Sequence, residues 1–168
     1  NIADLSGAQV AAFSATQIRG FSSTNLAAFN DTQIGALTTT QIGALTSTQA
    51  QGLTATNTAA LTTAQIGALA TTNLAALGAG AVKALDATQF GALNATQVKA
   101  LTSTQIGALT ATDVADITTT QIAALTTTQI GGLNVTSAGE LLDTQIAAFA
   151  LTQIQSLSAT NVAALNDT

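Results

Sequence analysis

The chain has 168 residues and a formal net charge of −5, and only 7% of its residues are charged. The basic residues are Arg19, Lys83 and Lys99, which argues against a nucleic-acid partner, because phosphate binding needs clustered Lys and Arg. Cys and His are absent, so we predict no catalytic site, no metal site and no cofactor, and no stretch approaches the ~20 apolar residues of a membrane span.

A bulky apolar residue occupies every eighth position from Leu5 to Leu165, which divides the chain into 21 octads. The consensus is T-x-T-Q-I-x-A-L, as in Thr38 to Leu45. A repeat much shorter than a folding domain buries its apolar residues only by stacking against neighbouring repeats, so the period predicts a solenoid. We expect residues 1–168 to form a single continuous array, as part of a longer array or a filament.

Each column of the octad has its own restriction. In the octad from Thr38 to Leu45 the columns are the cap column (Thr38), the Thr column (Thr40), the Gln column (Gln41), the Ile column (Ile42), the variable column (Gly43) and the Leu column (Leu45). The cap column holds mainly Thr, Ser, Asn and Asp, and the variable column accepts Arg19, Lys83 and Lys99. We expect the variable column to face water.

The octad excludes one uninterrupted α-helix, because eight residues at ~100° each rotate the apolar stripe by about 80° per octad. The cap column instead offers a side-chain oxygen to the first turn of a short helix, and the Gln column three residues later completes a capping box. Leu101 before the cap and Ile106 four residues into the helix are the two partners of a hydrophobic staple. We predict an all-α solenoid of very short capped helices, one in each octad.

A β-solenoid is the alternative that the same period allows. Thr40 to Ile42 would form a short strand with Gly43 and Ala44 at a corner, since Thr and Ile favour strands and Gly and Thr are poor helix formers. Against this arrangement, Ile and Leu lie three residues apart and would point to opposite faces of one strand, and Ala is depleted in strands. The sequence favours helices and leaves the β-solenoid open.

Two segments depart from the consensus without changing its spacing. At Gly78 to Ala81 the cap, Thr and Gln columns fail together, and Asn134 to Leu142 contains Ala138 and Glu140. We interpret each as a local softening or kink, the alternative being a notch for a partner, and we expect the stack to continue through both.

The two ends of the sequence fit one another. Residues 166–168 followed by residues 1–5 make a further octad, and neither terminal octad has the polar cap that usually covers the end of a solenoid. We therefore predict self-association end to end or continuation of the same array.

No candidate catalytic, metal or cofactor residue emerges from the chain. Asp113 and Asp116 are the closest approach to a paired-carboxylate site, and we interpret them as a solvated pair. The Ser and Thr residues have no neighbouring base, so nucleophilic catalysis is not supported. Glycosylation acceptor patterns arise automatically wherever Asn fills the cap column, at Asn30, Asn94, Asn134 and Asn166.

Two further columns have alternative interpretations. Phe13, Phe21 and Phe29 fill consecutive positions of the Leu column, and we expect them to form a thicker patch of core, the alternative being an exposed binding stripe. On a β-solenoid the Thr column would be a regular hydroxyl array of the kind that an ice-binding surface requires. On short helices we expect the same Thr residues to bond to the backbone at the start of each turn.

Tandem octads such as TTTQIAALTTTQIGGL, from Thr118 to Leu133, resemble the low-complexity repeat regions of large secreted or surface proteins of Gram-negative bacteria, adhesin-like and haemolysin-like in general description. The resemblance covers the whole chain and implies an extracellular or cell-surface stalk or filament, and it carries over no catalytic residue. We predict a non-enzymatic structural scaffold. The alternative is a repetitive surface that recognises ice, glycan or another copy of itself through the Thr and Gln columns.

Overall fold

A computed structural model of the chain describes residues 2–165, and every octad from Ser6 onward contains one short α-helix. No strand occurs within that range, so the predicted all-α solenoid of short capped helices is confirmed and the β-solenoid alternative is wrong. A 3₁₀ turn at Ile2–Asp4 precedes the helices. The α-helices are α1 (Gly7–Ala12), α2 (Ala15–Arg19), α3 (Ser23–Ala27), α4 (Asp31–Ala36), α5 (Thr39–Gly43), α6 (Ser47–Gln51), α7 (Ala55–Ala59), α8 (Thr63–Ala68), α9 (Thr71–Ala76), α10 (Ala79–Lys83), α11 (Ala87–Gly91), α12 (Ala95–Ala100), α13 (Ser103–Gly107), α14 (Ala111–Ala115), α15 (Thr119–Ala124), α16 (Thr127–Gly131), α17 (Val135–Gly139), α18 (Asp143–Ile146), α19 (Leu151–Ile154) and α20 (Ala159–Ala164).

The helices begin with the capping boxes that the sequence predicts. The backbone N–H of Gln105 donates to the Thr102 hydroxyl over 3.2 Å, and the N–H of Thr102 donates to Gln105 Oε1 over 2.7 Å. Because helices of one or two turns are unstable alone, these caps and the packing of neighbouring octads must hold each one in place. Side-chain caps are missing at Ala70, Gly78, Leu142 and Ala150.

The corner between α4 and α5 consists of two extended residues. Leu37 has φ −61° and ψ 130°, and Thr38, the next cap, has φ −71° and ψ 157°. No residue from 2 to 165 has a positive φ. The chain therefore changes direction once per octad with backbone angles open to any L residue, so the corners need neither Gly nor Pro.

Each helix packs against the helix three octads further along the chain, as α1 does against α4 and α6 against α9. One turn of the superhelix, called a coil below, therefore contains three octads, and the helices form three parallel stacks. The stack continues through Gly78 to Ala81, because α10 packs against both α7 and α13. Of the pairs three octads apart, α11 and α14 pack least closely.

The Ile and Leu columns form one continuous apolar interior, as the octad period predicts. Ile42 and Ile106 are fully buried, and Leu109 is 2% exposed. Thr58, which replaces Ile in its column, is also fully buried, and its hydroxyl donates to the Thr54 carbonyl over 2.9 Å. A small or polar residue in this column therefore stays in the core.

The three consecutive phenylalanines pack together, as expected. The ring centroids of Phe13 and Phe21 are 5.2 Å apart, those of Phe21 and Phe29 are 6.1 Å apart, and both pairs meet edge to face. Phe29 is buried, whereas Phe13 and Phe21 are half-buried. The patch thickens the core at the first coil.

Candidate interaction surfaces

The Gln column is buried and joins successive coils. Gln129 accepts a hydrogen bond at Oε1 from the backbone N–H of Thr126, over 2.7 Å. Its Nε2 donates to the carbonyls of Leu101, over 2.6 Å, and Val98, over 2.8 Å. These carbonyls belong to the octad four repeats earlier, at the end of a helix that leaves its last carbonyls without an intrahelical partner. One amide thus serves the start of its own helix and the end of another.

The same bridge recurs along the chain. Eleven buried glutamines donate from Nε2 to carbonyls 28 and 31 residues earlier: Gln33, Gln41, Gln49, Gln65, Gln89, Gln97, Gln105, Gln121, Gln129, Gln145 and Gln153. The shorter Asn57, Asn73 and Asn161 reach only the carbonyl 28 residues earlier. Within residues 2–165 no buried side-chain nitrogen or oxygen lacks a partner. The bridge is therefore part of the core and not an accessible binding group.

Sequence reasoning predicted the acceptor at Oε1 and missed the donor at Nε2. The missed signal is the absence of Glu from the Gln column, although Glu serves equally well in a capping box. An amide accepts and donates at once, whereas an ionised carboxylate only accepts, so a column dominated by Gln and Asn and free of Glu indicates a second partner.

Asp113 is the one acidic residue in the Gln column. Its Oδ2 accepts from the Thr110 N–H over 2.7 Å, which completes the capping box, but an ionised carboxylate has no proton for the carbonyls of Leu85 and Val82. Asp113 is half-buried, and its helix α14 belongs to the pair that packs least closely. Asp113 therefore keeps the capping acceptor and lacks the bridge donor.

Asp113 and Asp116 occupy different positions of the same helix, α14. Asp113 is engaged at the start of α14, whereas Asp116 is the exposed C-cap of that helix. Within residues 2–165 no group of three or more acidic, His or Cys residues could hold a metal ion. Asp167 lies outside the described residues.

The Thr column faces solvent, and its members from Thr16 to Thr152 make no side-chain hydrogen bond. The expectation that these Thr residues bond to the backbone is wrong, because the residue two positions earlier, such as Thr38 before Thr40, supplies the capping oxygen. The variable column is exposed at Arg19, Lys83 and Lys99, as predicted.

Only one of the three stacks carries an unbroken row of Thr. The stack of α3, α6, α9, α12, α15 and α18 presents Thr24, Thr48, Thr72, Thr96, Thr120 and Thr144. The other two rows are interrupted by Ala8 and Gly80, and by Ala64. A continuous hydroxyl face therefore exists on one side of the array.

The stack continues through the segment from Asn134 to Leu142, because α17 packs against both α14 and α20. An open cavity of about 260 Å³ is lined by Glu140, Leu141, Leu142 and Asp143, and Leu142 is 51% exposed at a cap position. The side chains of Asn30, Asn94 and Asn134 act as helix caps, and Asn166 lies outside the described residues.

Comparison with known proteins identifies one family of repeats in this chain. The ALTTAQ repeat model matches residues 2–39, 16–47, 66–103, 74–111 and 82–119, which together make up more than half of the chain. No curated protein and no solved structure matches the chain. Among the described residues, none of the helices is long and apolar enough to cross a membrane.

Proposed function

Because the chain belongs to the ALTTAQ repeat family, we propose that it is a non-enzymatic structural scaffold, namely a segment of an extracellular or cell-surface stalk or filament of the adhesin type. The observation that carries this proposal is the buried Gln column, which ties each coil to the next with the same pair of hydrogen bonds. Repetition of one joint along an array supports a load-bearing or spacing role.

The chemistry of the side chains supports a scaffold over an enzyme. Asp113, one of the two acids weighed as a candidate pair, is used in a capping box, and the buried polar side chains satisfy the backbone. If the protein nevertheless turns over a substrate, changing Asp113→Asn or Asp116→Asn tests whether either carboxylate is responsible. Turnover abolished by either change contradicts the proposal.

Location is tested on intact cells of the organism that encodes the chain. We expect antibodies against the octads to label intact cells, with a cytosolic protein as the control that is labelled only after permeabilisation. Labelling of the repeat only after permeabilisation contradicts the extracellular or cell-surface location. It does not contradict the proposal that the chain is a structural scaffold.

A second candidate function is favoured by the unbroken Thr row. Its hydroxyls are exposed and make no side-chain hydrogen bond, so they are available to bind a glycan, whereas ice binding depended on the β-solenoid that the fold excludes. The substitutions Thr48→Val, Thr96→Val and Thr120→Val alter this row, whereas Thr40→Val, Thr88→Val and Thr136→Val alter an interrupted row. Loss of adsorption in the first set alone supports binding through the unbroken Thr row, provided that the circular dichroism spectrum stays helical in both sets. Equal adsorption in both sets rules this binding out.

A further inference from the structure

We propose that Asn94 and Asn30 accept an N-linked sugar on the folded array, from a sugar donor such as a nucleotide sugar, and that Asn134 does not. All three residues stand in the Asn-x-Thr pattern that the enzymes of this modification read. This inference goes beyond the proposed function, because the array is a scaffold with or without attached sugar. What separates the three residues is the use that the fold makes of their side-chain amides.

The Asn94 side chain uses only one of its two polar atoms. Its Oδ1 accepts from the Gln97 N–H over 3.0 Å, and its Nδ2 has no hydrogen-bond partner among residues 2–165. The bridge to the preceding coil is made by Gln97 instead, whose Nε2 donates to the carbonyls of Leu69 over 2.9 Å and Gly67 over 3.1 Å. The amide nitrogen of Asn94 is therefore free to react.

The surroundings of Asn94 are open to an enzyme. Asn94, Ala95 and Thr96 are all exposed, and within the described part of the chain the Thr96 hydroxyl makes no side-chain hydrogen bond. The cap positions one coil before and one coil after hold the small residues Ala70 and Thr118. The amide and the hydroxyl that the pattern requires are thus both accessible.

At Asn134 the same amide is already in use. Ser137 stands in the Gln column of this octad, and its short side chain reaches only the Leu109 carbonyl, over 2.8 Å. Asn134 Nδ2 donates to the carbonyls of Gly107, over 3.0 Å, and Leu109, over 3.2 Å. Asn134 thus replaces part of the missing bridge, and a sugar would take the place of one of the two Nδ2 protons that make these bonds.

Asn30 repeats the arrangement of Asn94. Its Oδ1 accepts from the Gln33 N–H over 3.0 Å, and its Nδ2 has no partner among the described residues. Gln33 again makes the bridge, to the Leu5 carbonyl over 2.7 Å, and both Asn30 and Thr32 are exposed. An Asn in the cap column is therefore free where Gln fills the Gln column, and engaged where Ser replaces it.

The transfer forms one bond and breaks one. Asn94 Nδ2 bonds to C1 of the sugar, the bond between C1 and the phosphate oxygen of the nucleotide sugar breaks, and the nucleoside diphosphate leaves with that electron pair. The amide gives up one of its two protons. Because Oδ1 takes no part in the new bond, it still accepts from the Gln97 N–H, and the helix cap is kept.

The test treats the folded, full-length chain with an asparagine glycosyltransferase and a nucleotide hexose. Trypsin then cuts after the three basic residues, which places the three asparagines in separate peptides, and mass spectrometry with fragmentation locates the sugar. We expect at least about tenfold more sugar on Asn94 than on Asn134, because two hydrogen bonds must open before Asn134 reacts. When the peptides are cut before the reaction, Asn134 should react as readily as Asn94.

A substitution that restores the bridge should turn Asn134 into an acceptor. Ser137→Gln supplies the Nε2 donor that other octads have, so Asn134 Nδ2 is released and its modification in the folded chain should rise about tenfold. The matched control is Ser137→Ala, which removes a donor and leaves Asn134 as the bridge, so it should cause no rise. Thr96→Ala breaks the pattern without touching the cap and should abolish modification of Asn94 alone.

Protein recovered from the organism that encodes the chain shows whether the modification occurs there, and we expect sugar on Asn94 and none on Asn134. Three results overturn the inference. They are an unmodified Asn94 in the recovered protein, equal modification of Asn94 and Asn134 in the folded chain, and no rise at Asn134 in a Ser137→Gln variant that is folded by circular dichroism.

Discussion

Gln129 Nε2 donates to the Leu101 carbonyl over 2.6 Å, across 28 residues of chain, and this contact defines how one coil sits on another. The local octad fixes where each helix starts, through the cap and the Oε1 acceptor. The amide reaches a carbonyl of the preceding coil, so it joins octads that the three-octad coil brings together. Stability of the array should therefore depend on the amide donor more than on any other polar group of the octad.

Replacing Gln129→Glu should lower the free energy of unfolding by about 3 kcal/mol, because a carboxylate is then buried against two carbonyl oxygens while the capping oxygen is kept. Chemical denaturation measures the difference. Gln51→Glu, at an exposed position, should change stability by no more than about 0.5 kcal/mol. Equal losses in the two variants would contradict the role assigned to Nε2.

The same variant should depend on pH. Burial against carbonyl oxygens raises the pKa of the introduced carboxyl above its value in the unfolded chain, so the folded variant loses stability as pH rises through that raised pKa. At acidic pH the protonated carboxyl can donate to Leu101, and the deficit relative to the unchanged chain should shrink. A deficit that stays constant from acidic to neutral pH argues against a missing donor.

Gly107 and Gly91 occupy the same variable column and should respond to Ala in opposite directions. A Cβ at Gly107 would lie 2.5 Å from the Gly132 carbonyl oxygen, whereas one at Gly91 would have no heavy atom within 4 Å. We expect Gly107→Ala to destabilise by about 1–3 kcal/mol through overpacking, and Gly91→Ala to stabilise by about 0.5 kcal/mol through helix propensity. Thermal melts compare them, and a similar shift for both would show that the coils are not packed this closely.

Asp113→Gln should stabilise the array by about 1 kcal/mol, because the new amide can donate to the carbonyls of Leu85 and Val82. The matched control is Asp116→Gln, which removes the same charge at an exposed helix end and should have little effect. If denaturation shows the same gain for both, reduced charge repulsion and not the restored bridge is the cause.

Ala70→Ser should add about 1 kcal/mol by supplying a capping oxygen to α9, whose cap has none. Ala55→Ser makes the same change at an exposed position that is already inside a capped helix, α7, so it should be neutral or slightly destabilising. Differential scanning calorimetry of the two variants gives the comparison, and a gain at Ala55 as large as that at Ala70 would point to a cause other than capping.

The short helices were predictable because their signals are local. A residue such as Thr102 with Gln105 three positions later specifies a helix start from the sequence alone, and the neighbouring Leu101 and Ile106 identify the buried side. Helix α10, which follows the departure from consensus at Gly78, keeps its place in the stack because the eight-residue spacing is unchanged there.

The coil itself was not predictable from the octad. The spacing within an octad does not depend on which earlier octad it packs against. The carbonyl that binds Nε2 of the Gln column can therefore be identified only from the three-dimensional structure. The difference between Gly107 and Gly91 has the same origin, because both stand in one column and only the coil above distinguishes them. The Thr column was misassigned because both Thr38 and Thr40 have the chemistry of a cap, and backbone geometry selects the first.

The most direct test of the account is hydrogen exchange of side-chain amides by NMR, comparing the Nε2 protons of Gln129 with those of the exposed Gln51. We predict slow exchange for Gln129, with through-space contacts to Leu101, and fast exchange for Gln51. Exchange of Gln129 as fast as that of Gln51, with no contact to Leu101, would contradict the bridge on which the coil depends.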